Sequence, residues 1–311
     1  MTEITITQPI KLIAIDLDGT LLNSNHEMTE RTETVLKTAL SKGIRVIIAT
    51  GKTFLSSRHI VKRLGTNTPG IYNQGTITFN SDGTVHSQQV IDKVTARQVI
   101  TYAEDRGYIV GVYSGTRILV RKLTQRMQEL TTYFHEPMPE AVGPLQNILE
   151  TTPVNKIIIF YPHDPRRVQA LRWQLSMQID TGTRLLSAGI PDELELLPTG
   201  ASKGSALKVL LKEMGIPASQ VMALGDGEND VEMLELAGIG VAMGNASEHV
   251  KSIANVTTKT NDEDGVAEAV EKYVLAPLAK AAEAAAVPTP TPNATTEPAS
   301  PASKVEASPI A

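Results

Sequence analysis

Ile10-Lys11-Leu12-Ile13-Ala14-Ile15-Asp16-Leu17-Asp18-Gly19-Thr20 decides the fold. Ile10 to Ile15 is a short apolar run that breaks into a polar loop, the pattern of a buried strand. On extended backbone, residues two apart point the same way. Asp16 and Asp18 therefore sit side by side, roughly 6–7 Å apart at about 3.3 Å rise per residue. That gap admits a phosphoryl group. One carboxylate can attack phosphorus while the other handles the leaving-group proton. Gly19 permits the sharp turn that follows. Taken alone, the pair also reads as an Asx-turn after a strand.

Outward from this run, strands and helices alternate. Thr29 caps a helix to about Lys42, with Val35, Leu36, Ala39 and Leu40 on its apolar face and Gly43 as its stop. Ile44 to Ala49 is a second strand, Thr53 to Leu64 a helix, and Pro69 to Tyr72 a third strand. Such alternation implies right-handed crossovers and a parallel sheet. The order then changes. Asn80-Ser81-Asp82-Gly83 joins two short strands as a hairpin. Mixed helical and extended pieces follow, ending in the strand pair Arg184 to Leu186 and Glu193 to Leu197. The alternating pattern resumes with a helix from Lys203 to Met214 and a strand from Gln220 to Leu224. The expected fold is α/β, a Rossmann-like parallel-sheet core with an inserted α+β cap. The expected divisions are core 1–83, cap 84–189, core 190–276, and a disordered Ala/Pro/Thr/Ser-rich tail 277–311, too poor in apolar surface to offset its ordering entropy.

Composition narrows the function. The 311 residues are 41% hydrophobic and 20% charged, which is ordinary for globular chains and long enough for two domains. A net charge of −5 and 4% aromatics disfavour nucleic acid as a partner. No apolar run approaches the ~20 residues of a membrane span, and Met1 to Pro9 lacks a signal-peptide build. Cysteine is absent, which removes disulfides and thiolate metal sites. A cytoplasmic location and no membrane association are expected.

Three further clusters sit at strand ends or helix starts, the edge where open α/β sheets bind ligands. Thr50-Gly51-Lys52 combines a hydroxyl, a permissive glycine and a helix start, an anion cradle. Lys203 lies in the first turn of its helix, where a cation opposes the macrodipole unless an anion shares the site. Gly225-Asp226-Gly227-Glu228-Asn229-Asp230 offers hard oxygen ligands. Each has a plain structural reading by itself: a strand-to-helix turn, an exposed lysine, a helix cap. An EF-hand is excluded because the sixth position from Asp226 is Val231 and the twelfth Ala237. A dinucleotide site is excluded because the first loop lacks Gly-x-Gly-x-x-Gly.

Together, and in this order, the four clusters resemble the haloacid dehalogenase superfamily of phosphatases, with its Asp-x-Asp-x-Thr, Thr or Ser, Lys and Gly-Asp-x-x-Asn-Asp motifs. The resemblance runs over about residues 8 to 275. The position of the insertion is most similar to the Cof-like, type IIB branch. It implies Asp16 as nucleophile through an aspartyl-phosphate and Asp18 as acid and then base. It implies magnesium on the Asp16 carboxylate, the Asp18 backbone carbonyl and Asp226. Thr50, Gly51, Lys203 and Asn229 would hold the phosphoryl oxygens, and Asp230 would orient Lys203 or a metal-bound water. Hard-oxygen chemistry suits Mg²⁺. Lys52 departs from the branch's usual Arg and lacks its planar fork, so a smaller contribution to substrate or cap contacts is expected of it. Asn73-Gln74-Gly75 looks like the branch's Asn-Gly-Ala loop with one residue inserted, which is expected to reshape the pocket mouth. The implied activity is hydrolysis of a small phosphorylated metabolite, a sugar phosphate or phosphorylated cofactor. Phosphohexomutase-type transfer and non-catalytic binding of a phospholigand remain alternatives.

Overall fold

A computed structural model describes residues 8–162, 164–178, 183–187 and 190–286. Its strands in chain order are β1 (Leu12–Ile15), β2 (Arg45–Ile48), β3 (Gly70–Tyr72), β4 (Ile77–Phe79), β5 (Val85–Gln88), β6 (Ile109–Ser114) and β7 (Arg117–Val120). They continue with β8 (Glu140–Ala141), β9 (Lys156–Phe160), β10 (Thr183–Leu186), β11 (Glu193–Pro198), β12 (Val221–Gly225), β13 (Ile239–Ala242) and β14 (Val256–Thr257).

Five strands form an all-parallel sheet in the order β14-β13-β12-β1-β2. All four β1 residues are buried, because helices cover both faces of the sheet. Alternate residues feed two separate cores. Ile13, Ile15, Val46 and Ile48 pack with Val35, Leu36 and Val266 on one face. Leu12, Ala14 and Ile47 pack with Leu207, Leu210 and Met233 on the other. The chain leaves β1 toward β2 on one side and returns as β12 on the other. The carboxyl end of β1 is thus a point where strand order reverses, and a crevice opens there. Thr29 caps Glu30–Ser41 and Thr53 caps Phe54–Leu64, each accepting a backbone N–H with its hydroxyl.

The second sheet runs β10-β11-β9-β6-β7-β8 and is antiparallel except for β7 with β8. It forms the cap. A small antiparallel sheet, β3-β4-β5, joins the core edge through the Ala49–Ile71 bridge. Two sequence boundaries need correction. β5 hydrogen-bonds to β4, so the core's first part extends past residue 83. β11, read as the last strand of the insertion although the expected limit at 189 left it in the core, lies between β10 and β9 in the cap sheet. Hydrogen-bond ladders, not distance along the chain, decide membership.

The tail boundary is also corrected. Helix Gly265–Val270 passes through a π-helical turn, Glu271–Leu275, into helix Ala276–Ala286. Pro277 lacks an N–H, and its ring crowds the carbonyl four residues back. The wider π turn directly before it lets the helix continue. The rest of the expected disordered tail, residues 287–311, lies outside the described residues.

The apolar clusters respect the division between core and cap. Two belong to the parallel sheet, two to the cap and one to the β3–β4 hairpin with Phe54. Among the described residues, none of these clusters mixes core and cap side chains.

Candidate active site

The site begins at β1. Asp16 follows its last residue and is 6% exposed. Lys203, in the first turn of Lys203–Met214, reaches it with Nζ at 2.7 Å from Oδ1. The same Nζ donates to Asp230 Oδ1 at 2.8 Å. Lys203 is 1% exposed and Asp230 fully buried. The cation that would oppose its helix dipole is thus neutralised by two carboxylates. Burial acts to lower the Lys203 proton affinity, but Asp16 and Asp230 override it and the ammonium is held charged. Asp230 Oδ2 accepts from the backbone N–H groups of Asp226 and Gly227, both at 3.0 Å. Asp230 therefore both caps its turn and grips the lysine.

Asp226 accepts from Thr20 Oγ1 at 2.8 Å. Asn245 Nδ2 donates to the Gly19 carbonyl at 2.8 Å and to Asp226 Oδ2 at 3.4 Å. Asp16, Asp226 and Asp230 bring carboxylate oxygens within 4.8 Å of one another. Burial, then the neighbouring Asp230 charge, raises the Asp16 carboxyl well above its usual range, against Lys203. The same two causes push Asp226 up to about 6. Crowded, desolvated carboxylates with hard oxygen donors are what a divalent cation relieves. The residues present fit such an ion.

Asp18 lines the same cavity as Asp16, with partners of its own. Its Oδ1 lies 2.7 Å from Lys52 Nζ and 3.2 Å from His26 Nδ1. Lys52, expected to contribute less than an arginine would, is 7% exposed and pairs directly with this second aspartate. Thr50 is buried, and its Oγ1 accepts from the Lys52 N–H at 3.1 Å. Gln74, inside the loop carrying the extra residue, has φ +63° and is buried. Its Oε1 accepts from Asn229 Nδ2 at 2.9 Å. Its amide fills the space a side chain at Gly51 would need.

Asp16, Asp18, Thr50, Gly51, Lys52, Lys203, Asp226 and Asn229 all line one cavity of about 380 Å³, with Asp230 behind Lys203. The cap supplies its roof: Tyr113, Met127, Leu130, Phe134, Glu136, Lys156, Ile158, Phe160, Glu193 and Glu195. Thr53 donates its N–H and its hydroxyl to Glu136, at 3.0 and 2.5 Å, and Lys156 Nζ donates to the Gly51 carbonyl at 3.1 Å. The sequence motifs included Thr20 without assigning it a contact, and did not reveal His26, Asn245 or the cap residues. Single polar residues in loops carry no spacing signal, and cap residues reach the site only through tertiary docking.

A parallel sheet with a buried lysine–carboxylate cluster at its carboxyl edge, roofed by an inserted module, defines a capped α/β enzyme fold with an acidic, metal-ready site. Residues 13–270 match the haloacid dehalogenase-like hydrolases. The phosphatase YwpJ of Bacillus subtilis is 34% identical over 281 residues, covering 83% of this chain and 98% of that protein. A haloacid dehalogenase-like hydrolase from Bacteroides thetaiotaomicron superposes with a TM-score of 0.77 at 31% identity, covering 85% and 99% of the two chains. A chloroplastic endoribonuclease, YBEY of Arabidopsis thaliana, is 32% identical over 85% of this chain, but the match spans only 46% of that longer protein. The chain belongs to the haloacid dehalogenase-like hydrolase family and is a phosphatase of its Cof-like branch.

Proposed function

We propose that this phosphatase hydrolyses small-molecule phosphate monoesters through an aspartyl-phosphate on Asp16, with Mg²⁺ as its cation. The observation that carries this reading is the buried Lys203 ammonium between Asp16 and Asp230, in the cavity shared with Asp18. Asp16 attacks phosphorus as the bond to the leaving oxygen breaks, and Asp18 gives that oxygen its proton. Asp18 then takes a proton from water, which attacks the aspartyl-phosphate and frees Asp16 and inorganic phosphate. Thr50, the Gly51 backbone, Lys203 and Asn229 hold the phosphoryl oxygens, and Asp230 fixes Lys203. Lys52 and His26 hold the Asp18 carboxylate. The Asp16 and Asp226 carboxylates and the Asp18 carbonyl would hold Mg²⁺, which when bound neutralises phosphoryl charge. Positioning with charge neutralisation is most of what phosphoryl transfer requires.

The test is turnover of p-nitrophenyl phosphate. Asp16→Asn should lose about 10³-fold or more in kcat. The wild-type rate should vanish with a chelator and return with Mg²⁺. A wild-type rate in Asp16→Asn would refute the nucleophile assignment.

A further inference from the structure

The roof of the cavity carries more charge than a lid needs. Along β9, Lys156, Ile158 and Phe160 face the cavity while Ile157 and Ile159 enter the cap core. Along β11, Glu193 and Glu195 face the cavity while Leu194 and Leu196 enter that core. Period-two alternation therefore turns two carboxyl groups toward the site. Both are buried, at 8% and 3% exposure.

Their hydrogen bonds are incomplete. Glu195 Oε1 accepts from Lys156 Nζ at 2.7 Å. Glu195 Oε2 is buried and, among the described residues, has no hydrogen-bond partner. Leaving such an acceptor unmade costs about 1–3 kcal/mol, and more for a charged group. Lys156 does not reach it. Its ammonium already meets Glu195 and the Gly51 carbonyl, and it lies 4.3 Å from the Tyr113 ring centroid. Lys52, another cation in the cavity lining, is paired with Asp18. Among the described residues, the roof thus offers an acceptor without a donor, and the cation beside it is already paired.

We infer that Glu195, with Glu193 beside it, is the subsite for the leaving alcohol, and that it takes an alcohol bearing hydroxyl or ammonium donors and no second acidic group. This rests on the phosphatase reading, which orients the phosphoryl group toward Asp16. A donor on the alcohol satisfies Glu195 Oε2. A carboxylate or second phosphate there meets the Glu195 carboxylate, whose neighbouring Lys156 is already paired, in a buried site where repulsion is weakly screened. Specificity arises from this rejection as much as from the attraction.

Three esters sharing a C6 phosphate test it: glucose 6-phosphate, glucosamine 6-phosphate and 6-phosphogluconate, with kcat/KM measured at saturating Mg²⁺. The wild type should favour the first two over 6-phosphogluconate by about tenfold or more. Glu195→Gln should bring that ratio toward unity. Should Glu195→Gln fail to fold after losing its pairing with Lys156, Glu193→Gln, which breaks no ion pair among the described residues, should shrink the ratio in the same direction when the assay is run at about pH 9, where Glu193 is ionised. Equal efficiency on all three esters, a ratio that survives both substitutions, or turnover of p-nitrophenyl phosphate without turnover of the two donor-bearing sugars would overturn the inference. Failure to cleave any ester, p-nitrophenyl phosphate included, would instead bring down the phosphatase reading beneath it.

Discussion

At the scale of single residues, the site depends on close approaches that only glycine allows. Gly19 has φ +74°, and a Cβ there would lie 2.3 Å from Asp226 Oδ2. Gly19→Ala should therefore cost about 1–3 kcal/mol in backbone strain. It should also push Asp226 aside, lowering kcat/KM by ~10²-fold. Urea unfolding and steady-state kinetics would check the two parts separately. Glu193 gives a pH signature. Burial, then repulsion from Glu195, pushes its carboxyl up to about 8 from an ordinary 4.5. The unfolded chain releases this proton from about pH 4.5 and the folded chain only near 8. Its contribution to stability is thus full at low pH, declines across that interval and is lost above it. Glu193→Gln should flatten the fall in melting temperature between about pH 5 and 8. An unchanged slope would show that Glu193 is not the titrating group. Lys203 was readable from sequence because a cation in a first helical turn signals a nearby anion. His26 was not, since nothing local ties it to Asp18.

At the scale of elements, β11 shows where pattern stops. Glu193-Leu194-Glu195-Leu196 marks a strand by its alternation. Period two cannot say which face meets water. Here all six β11 residues are buried, because the charged face looks into the cavity. The Lys156–Glu195 pair across β9 and β11 is 3% and 4% exposed. Lys156→Met leaves a buried carboxylate without its cation and should cost about 3–5 kcal/mol. Lys156→Met with Glu195→Leu should recover most of that loss in urea unfolding, since an apolar pair replaces a desolvated ionic one. The helix Ala276–Ala286 is the converse case. Its alanines favour helix, but Pro277 reads as a stop unless a π turn precedes it, and a π turn leaves no mark in sequence. The strands of the parallel sheet were legible because apolar runs buried on both faces leave little ambiguity.

At the scale of the whole molecule, the insertion was legible from the change in element order, while its limits were not, because β5 and β11 are assigned by pairing partners far along the chain. Core and cap each keep their own apolar clusters. Two hydrophobic bodies joined mainly by polar contacts should unfold in separable steps. Differential scanning calorimetry should resolve two transitions, with Lys156→Met lowering the cap's transition by several degrees and moving the core's little. A single transition that shifts as a whole would refute this independence. The contacts that fasten roof to floor include Thr53 with Glu136, Lys156 with the Gly51 carbonyl, and Arg184 with Glu232 at 2.5 Å. Hydrogen bonds with one charged partner, as in the first two, contribute only about 1.5–3 kcal/mol each against water, and an exposed ion pair contributes about 1 kcal/mol or less. Turnover can therefore end with the roof swinging away while water takes over its bonds. Inorganic phosphate departs through a door held by exchangeable latches, and neither apolar body has to be broken open to let it out.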